Sequence, residues 1–78
     1  MKWRVLVSAP YIIPFLGKFR DFFVENDIEV IVADVDERLE EEALMKLLPG
    51  CHGILCGDDR ITANVLDYCP DLRVIVKW

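Results

Sequence analysis

Gly53-Ile54-Leu55-Cys56-Gly57-Asp58-Asp59-Arg60-Ile61-Thr62-Ala63 runs from an apolar strand, through a charged loop, into the start of a helix. Gly53–Cys56 is short and apolar and reads as the third strand, while the unbroken run Val5-Leu6-Val7 has the pattern of a strand buried on both faces. A glycine ends the third strand, two aspartates and an arginine follow, and Thr62 stands where a helix N-cap would. That helix is expected over Ala63–Cys69, with Val65, Leu66 and Cys69 inward. In open parallel α/β sheets, ligands sit beyond the carboxyl ends of the strands. The stretch places the densest polar cluster of the chain at such an end, so Gly57, Asp58, Asp59 and Arg60 form the candidate site loop. Asp58 and Asp59 would orient a cationic or hydroxylated ligand, or else serve as solvated residues capping the next helix. Arg60 would hold a carboxylate bidentately, or else pair with Asp58 or Asp59.

Working outward, the same strand–loop–helix unit recurs. Trp3 and Val5-Leu6-Val7 form an unbroken apolar run that stops at Ser8-Ala9-Pro10. Pro14 suits the first turn of a helix, and Phe15, Leu16, Phe19, Phe22 and Phe23 follow at helical spacing, expected as core packed on the sheet. Gly17 inside that helix costs about 1 kcal/mol relative to alanine, which a close approach to a strand would explain. Asn26-Asp27 ends the helix, and Glu29–Ala33 is the second strand. Leu39, Ala43, Leu44, Leu47 and Leu48 mark a second amphipathic helix, closed by Pro49-Gly50. Glu40, Glu41 and Glu42 sit in its first turns, near the positive end of the helix dipole, on a face expected to be solvated. Pro70-Asp71 stops the third helix and Leu72–Val76 is the fourth strand. The order βαβαβαβ implies a parallel sheet with right-handed crossovers. The expected strand order is 2-1-3-4, a flavodoxin-like sheet that reads as cut short after its fourth strand.

Composition narrows the function classes. The 78 residues support one small domain, and their 54% hydrophobic content is high for that size. An exposed apolar patch or an interface is expected in consequence. The net charge is −5 and the cations are scattered, which argues against nucleic acid as a partner. Apolar runs fall well short of the ~20 residues of a membrane span. Three cysteines, Cys51, Cys56 and Cys69, fit reduced thiols in a cytoplasmic protein. With His52 they invite a metal reading, but the spacing lacks a second ligand pair.

Lys2-Trp3-Arg4-Val5-Leu6-Val7-Ser8, Glu29-Val30-Ile31-Val32, Leu47-Leu48-Pro49-Gly50-Cys51-His52-Gly53-Ile54, Thr62-Ala63-Asn64-Val65-Leu66 and Pro70-Asp71-Leu72-Arg73-Val74-Ile75-Val76-Lys77 follow one another in a known pattern. Together they resemble the N-terminal part of the substrate domain of the D-isomer-specific 2-hydroxyacid dehydrogenases, nearest the phosphoglycerate dehydrogenase-like branch. The resemblance covers essentially the whole chain. It implies a parent of two domains that interconverts 2-oxo and D-2-hydroxy acids with NAD or NADP. The family's catalytic Arg, Glu and His, and its Gly-rich dinucleotide fingerprint, match nothing here. His52 falls before the third strand, away from the catalytic position. The family's cleft-lining loop matches Cys56–Arg60. Many members carry an Arg-Ser pair where this chain has Cys56-Gly57, which leaves Gly57 to offer its backbone N–H. Lys77 matches the lysine that often precedes the carboxylate-binding loop.

On this reading Gly57, Asp58 and Lys77 are the substrate-side residues, and the chain holds no catalytic, cofactor or metal residues of its own. It is expected to be inactive alone and to form a homodimer through the exposed fourth strand and Trp78. Two alternatives stand beside it. One is an excised or engineered, non-catalytic folding and assembly module. The other is a receiver-like phosphoacceptor domain, which would need an acidic pair where this chain has Ser8-Ala9-Pro10.

Overall fold

The structure, a computed structural model, describes residues 2–35 and 38–77. Its strands are β1 (Trp3–Val7), β2 (Ile28–Val32), β3 (Gly53–Cys56) and β4 (Val74–Lys77). They form one four-stranded sheet in the order β2-β1-β3-β4. Every pairing is parallel, with Val5 opposite Val30 and Gly53, and Ile54 opposite Ile75. The expected class and strand order are therefore those observed. β1 lies inside the sheet, which is why its run is apolar without alternation.

The helices divide unequally between the two faces. On one face Leu6, Ile54 and Cys56 meet Leu44 and Leu48 of the second helix segment, together with Val65 and Cys69 of the third. Those helices are α2 (Glu41–Leu47) and α3 (Ala63–Tyr68). Leu6, Leu44, Leu48 and Val65 are wholly buried; each contributes about 1.5–3 kcal/mol by leaving water. On the other face Val7, Ala9 and Ile12 form a smaller cluster flanked by Val5, Leu16, Val30 and Leu55. Above it runs a 3-10 helix, Ile13–Phe19, continuing into α1 (Arg20–Glu25).

That segment departs from expectation in three ways. Its first half is 3-10, not α, with Pro14 lacking an N–H and Gly17 a poor helix former. Gly17 makes no close approach to a strand: a Cβ there would meet nothing within 4 Å. And the phenylalanines are not all core. Phe15, Phe19 and Phe22 are exposed while Leu16 and Phe23 are half-buried. One short segment over β1 and β2 cannot hide residues on every side of itself.

The turns obey local chemistry. Asn26 closes α1 through its Nδ2, which donates to the Phe22 carbonyl at 2.8 Å. Gly50 takes φ 85° after α2, and a Cβ there would lie 3.3 Å from an Arg4 guanidinium nitrogen. At the amino edge, the Arg4 N–H donates to His52 Nδ1 at 3.0 Å. The His52 N–H returns a bond to the Arg4 carbonyl at 2.8 Å, and the His52 carbonyl accepts from the Arg73 N–H at 2.7 Å. His52 thus joins β1, β3 and β4 at the end opposite the candidate site. β4 begins two residues later than expected because the Leu72 N–H is used to close α3, donating to the Cys69 carbonyl at 3.1 Å. All of β4 is exposed. Trp78, invoked with it for self-association, lies outside the described residues.

Candidate site at the carboxyl edge of the sheet

The strands deliver three loop starts and the end of β4 to one edge. β1 ends at Ser8, whose N–H donates to the Leu55 carbonyl at 2.9 Å. β2 ends at Ala33, whose N–H donates to the Val7 carbonyl at 2.9 Å. β3 ends at Cys56, in register with Lys77 on β4. Gly57 therefore starts its loop beside the end of β4. It also lies against the β1 loop, since a Cβ on it would sit 3.6 Å from Pro10 Cδ and 3.7 Å from Ala9 Cα.

Asp59 organises this edge. Its carboxylate accepts from the Ser8 hydroxyl on one oxygen and from the Leu39 N–H at 2.6 Å on the other. One side chain thereby ties the loop after β1 to the segment before α2 and to its own loop after β3. Ser8 is the one polar side chain fully buried among the described residues, so its hydroxyl must have a partner. The Arg60 N–H donates to the Leu39 carbonyl at 3.0 Å and fixes the same junction a second time. Asp59 neither caps the next helix nor turns to solvent.

Asp58 points elsewhere. Its carboxylate lies 3.5 Å from Arg38, in the loop after β2, and is 81% exposed. Arg38 also meets Glu40 at 3.2 Å. Arg60 pairs with Glu40 at 3.5 Å, and not with Asp58 or Asp59 as expected. These exposed pairs contribute little to stability, but they set alternating charge along the rim. Thr62 caps α3, accepting from the Val65 N–H at 3.3 Å. Its hydroxyl donates to Glu41, so α2 and α3 are joined at their starts. Glu40 and Glu41 are accordingly engaged, whereas Glu42 is exposed as the solvated-face reading has it.

The thiols supply no nucleophile here. Burial pushes the Cys56 thiol up, and the Asp59 charge pushes it further. Burial likewise raises Cys51 and Cys69. Among the described residues, no group of three or more His, Cys, Asp and Glu side chains is placed to hold a metal ion. No helix among them is long and apolar enough to cross a membrane.

Of the expected site residues, the structure brings Gly57 and Lys77 to adjoining strand ends, with Asp58 one residue beyond Gly57 and turned toward Arg38. Sequence reasoning passed over Ser8 and Arg38. Ser8 carried a usable signal: a hydroxyl at the end of a strand buried on both faces has to be satisfied by a neighbouring loop. Arg38 carried none, because the partner that brings it to this edge, Asp58, lies twenty positions away in another loop. Comparison with protein-family models, with curated proteins and with solved structures finds no match to this chain.

Proposed function

We propose that the chain is a piece of the substrate domain of an NAD(P)-dependent D-2-hydroxyacid dehydrogenase, forming one wall of the substrate cleft and inactive by itself. The observation that supports it is the register Cys56–Lys77, which brings Lys77 level with the residue before Gly57 at the carboxyl edge of a parallel sheet. There the Gly57 backbone would meet the substrate and the Lys77 ammonium would favour its carboxylate, while Asp58, turned toward Arg38, would stand at the rim of the site. A nicotinamide cofactor held by another part of such an enzyme would supply or remove the hydride. The acid–base group would lie there too, so proton transfer has no agent here. The chain would work as a homodimer, with the exposed β4 in the contact.

The test mixes the chain with a separately produced nucleotide-binding half of such an enzyme, in NADH and a panel of 2-oxo acids. Turnover is expected from the mixture and not from the chain alone. Turnover by the chain alone, or none from any mixture, overturns the reading. A second reading, a non-catalytic assembly module, is favoured by the exposed apolar residues of α1 and β4. It expects self-association and no activity in any mixture. The receiver-like alternative loses ground, because Ser8 and Leu39 already occupy both oxygens of Asp59.

A further inference from the structure

His52, the chain's one histidine, stands just before β3. At the far end of the β1–β3 ladder the Ser8 N–H donates to the Leu55 carbonyl at 2.9 Å. Four residues earlier in each strand, the same parallel ladder would send the Arg4 N–H to the Cys51 carbonyl. It goes instead to His52 Nδ1, at 3.0 Å. The segment ahead of His52 is used in closing α2. There the Cys51 N–H donates to the Leu48 carbonyl at 2.9 Å, and Gly50 turns at φ 85°. An imidazole nitrogen thus stands in for a strand carbonyl. The half-buried ring is kept in plane by Trp3, which meets it edge-on at 5.2 Å.

A backbone carbonyl accepts at any pH, and an imidazole does not. Nδ1 accepts only while its lone pair is free, so the one ring proton sits on Nε2. A second proton goes onto Nδ1, and two donors then face each other across the gap to Arg4. We propose that His52 is a proton-sensitive clasp: the neutral ring fastens the start of β1 to the start of β3, and protonation releases the Arg4 N–H and opens that end of the ladder. The clasp holds on the alkaline side of the ring's titration and lets go on the acid side. It lies at the end of the sheet opposite Gly57 and Lys77, so it goes beyond the dehydrogenase reading and uses none of its groups.

The surrounding charges offer an imidazolium no replacement for the lost bond. Lys2 and Arg4 come from the start of β1, and Arg73 from the approach to β4, all cations. Its N–H donates to the His52 carbonyl at 2.7 Å. Asp27 and Glu29 come from the start of β2, and Asp71 from the loop ahead of β4. The Glu29 carboxylate is turned to the Arg4 guanidinium, at 3.6 Å. Cys51 and Cys69 are buried thiols that burial keeps protonated. Among the described residues no carboxylate bonds the imidazole, whose one partner is the Arg4 N–H.

The experiment is amide hydrogen exchange by NMR at about pH 7.5 and about pH 5, either side of the range where histidines ordinarily titrate, read as protection factors. The Arg4 amide is expected to be protected at the higher pH and to lose about tenfold or more of that protection at the lower, the scale of one broken hydrogen bond. The Ser8 amide, at the other end of the same two strands, is the internal control and keeps its protection. In His52→Asn the side-chain oxygen falls where Nδ1 was and takes no proton, so the pH dependence at Arg4 is expected to vanish. The proposal is overturned by an Arg4 amide that is unprotected at both pH values, that stays protected at the lower one, or that falls in step with Ser8. A His52→Asn chain that keeps the wild-type pH dependence overturns it as well. Should that variant not fold, the nitrogen-15 spectrum of the wild-type imidazole decides: a proton on Nε2 at the higher pH supports the clasp, and a proton on Nδ1 overturns it. None of these readouts involves turnover, so the dehydrogenase reading stands or falls separately.

Discussion

The Asp59 carboxylate joins segments that are far apart in the chain, through Ser8 and Leu39. Replacing it with alanine leaves the wholly buried Ser8 hydroxyl and the Leu39 N–H without their acceptor. Each unsatisfied buried group costs about 1–3 kcal/mol. Asp59→Ala is therefore expected to lose roughly 2–4 kcal/mol in urea unfolding, whereas Asp58→Ala, whose ion pair with Arg38 is exposed, changes it by less than about 1 kcal/mol. Equal effects of the two variants would show that the carboxyl edge is not held by Asp59. The sequence places both aspartates in one loop and cannot distinguish them. What separates them is a neighbour fifty-one positions away, and adjacency in the chain carries no trace of it.

At the scale of the element, helix starts and stops were the readable part. Thr62 and Asn26 act by bonds to residues within a turn of themselves and Gly50 by its positive φ, so their chemistry is local. Thr62 also reaches Glu41, so it anchors two helices at once. Thr62→Ala is expected to cost more than the ~1 kcal/mol of an ordinary cap, because the Glu41 partner is lost with it. A double-mutant cycle with Glu41→Ala measures the excess, and strict additivity would show that α2 and α3 are not coupled there. The first helix was less legible. Periodicity at 3.6 residues marks which residues share a stripe but not how wide a surface awaits them. The stripes of Phe15, Phe19 and Phe22 and of Leu16 and Phe23 look alike in sequence. Only the second finds its own sheet.

The whole molecule was legible in its topology, because continuous apolar strands alternating with amphipathic helices leave few ways to connect a parallel sheet. Its core also sets a response to pH. Cys51, Cys56 and Cys69 are buried, and desolvation raises all three thiols above their ordinary 9.0. The folded protein thus holds these protons to higher pH than the unfolded chain does. Stability from this source is full below about pH 9 and falls as pH rises through the folded values. Urea midpoints are expected to decline above that pH, and Cys51→Ala, Cys69→Ala to flatten the decline. An unchanged slope in that variant would assign the alkaline loss to other groups.

β1 is a middle strand, flanked by β2 and β3. Disrupting β1 therefore breaks two ladders together and divides the sheet, leaving β2 stranded from β3. Loss of β4 removes a single ladder from the margin and leaves three strands still joined. Damage to the two strands is not interchangeable: β1 is a keystone of this sheet and β4 a fringe.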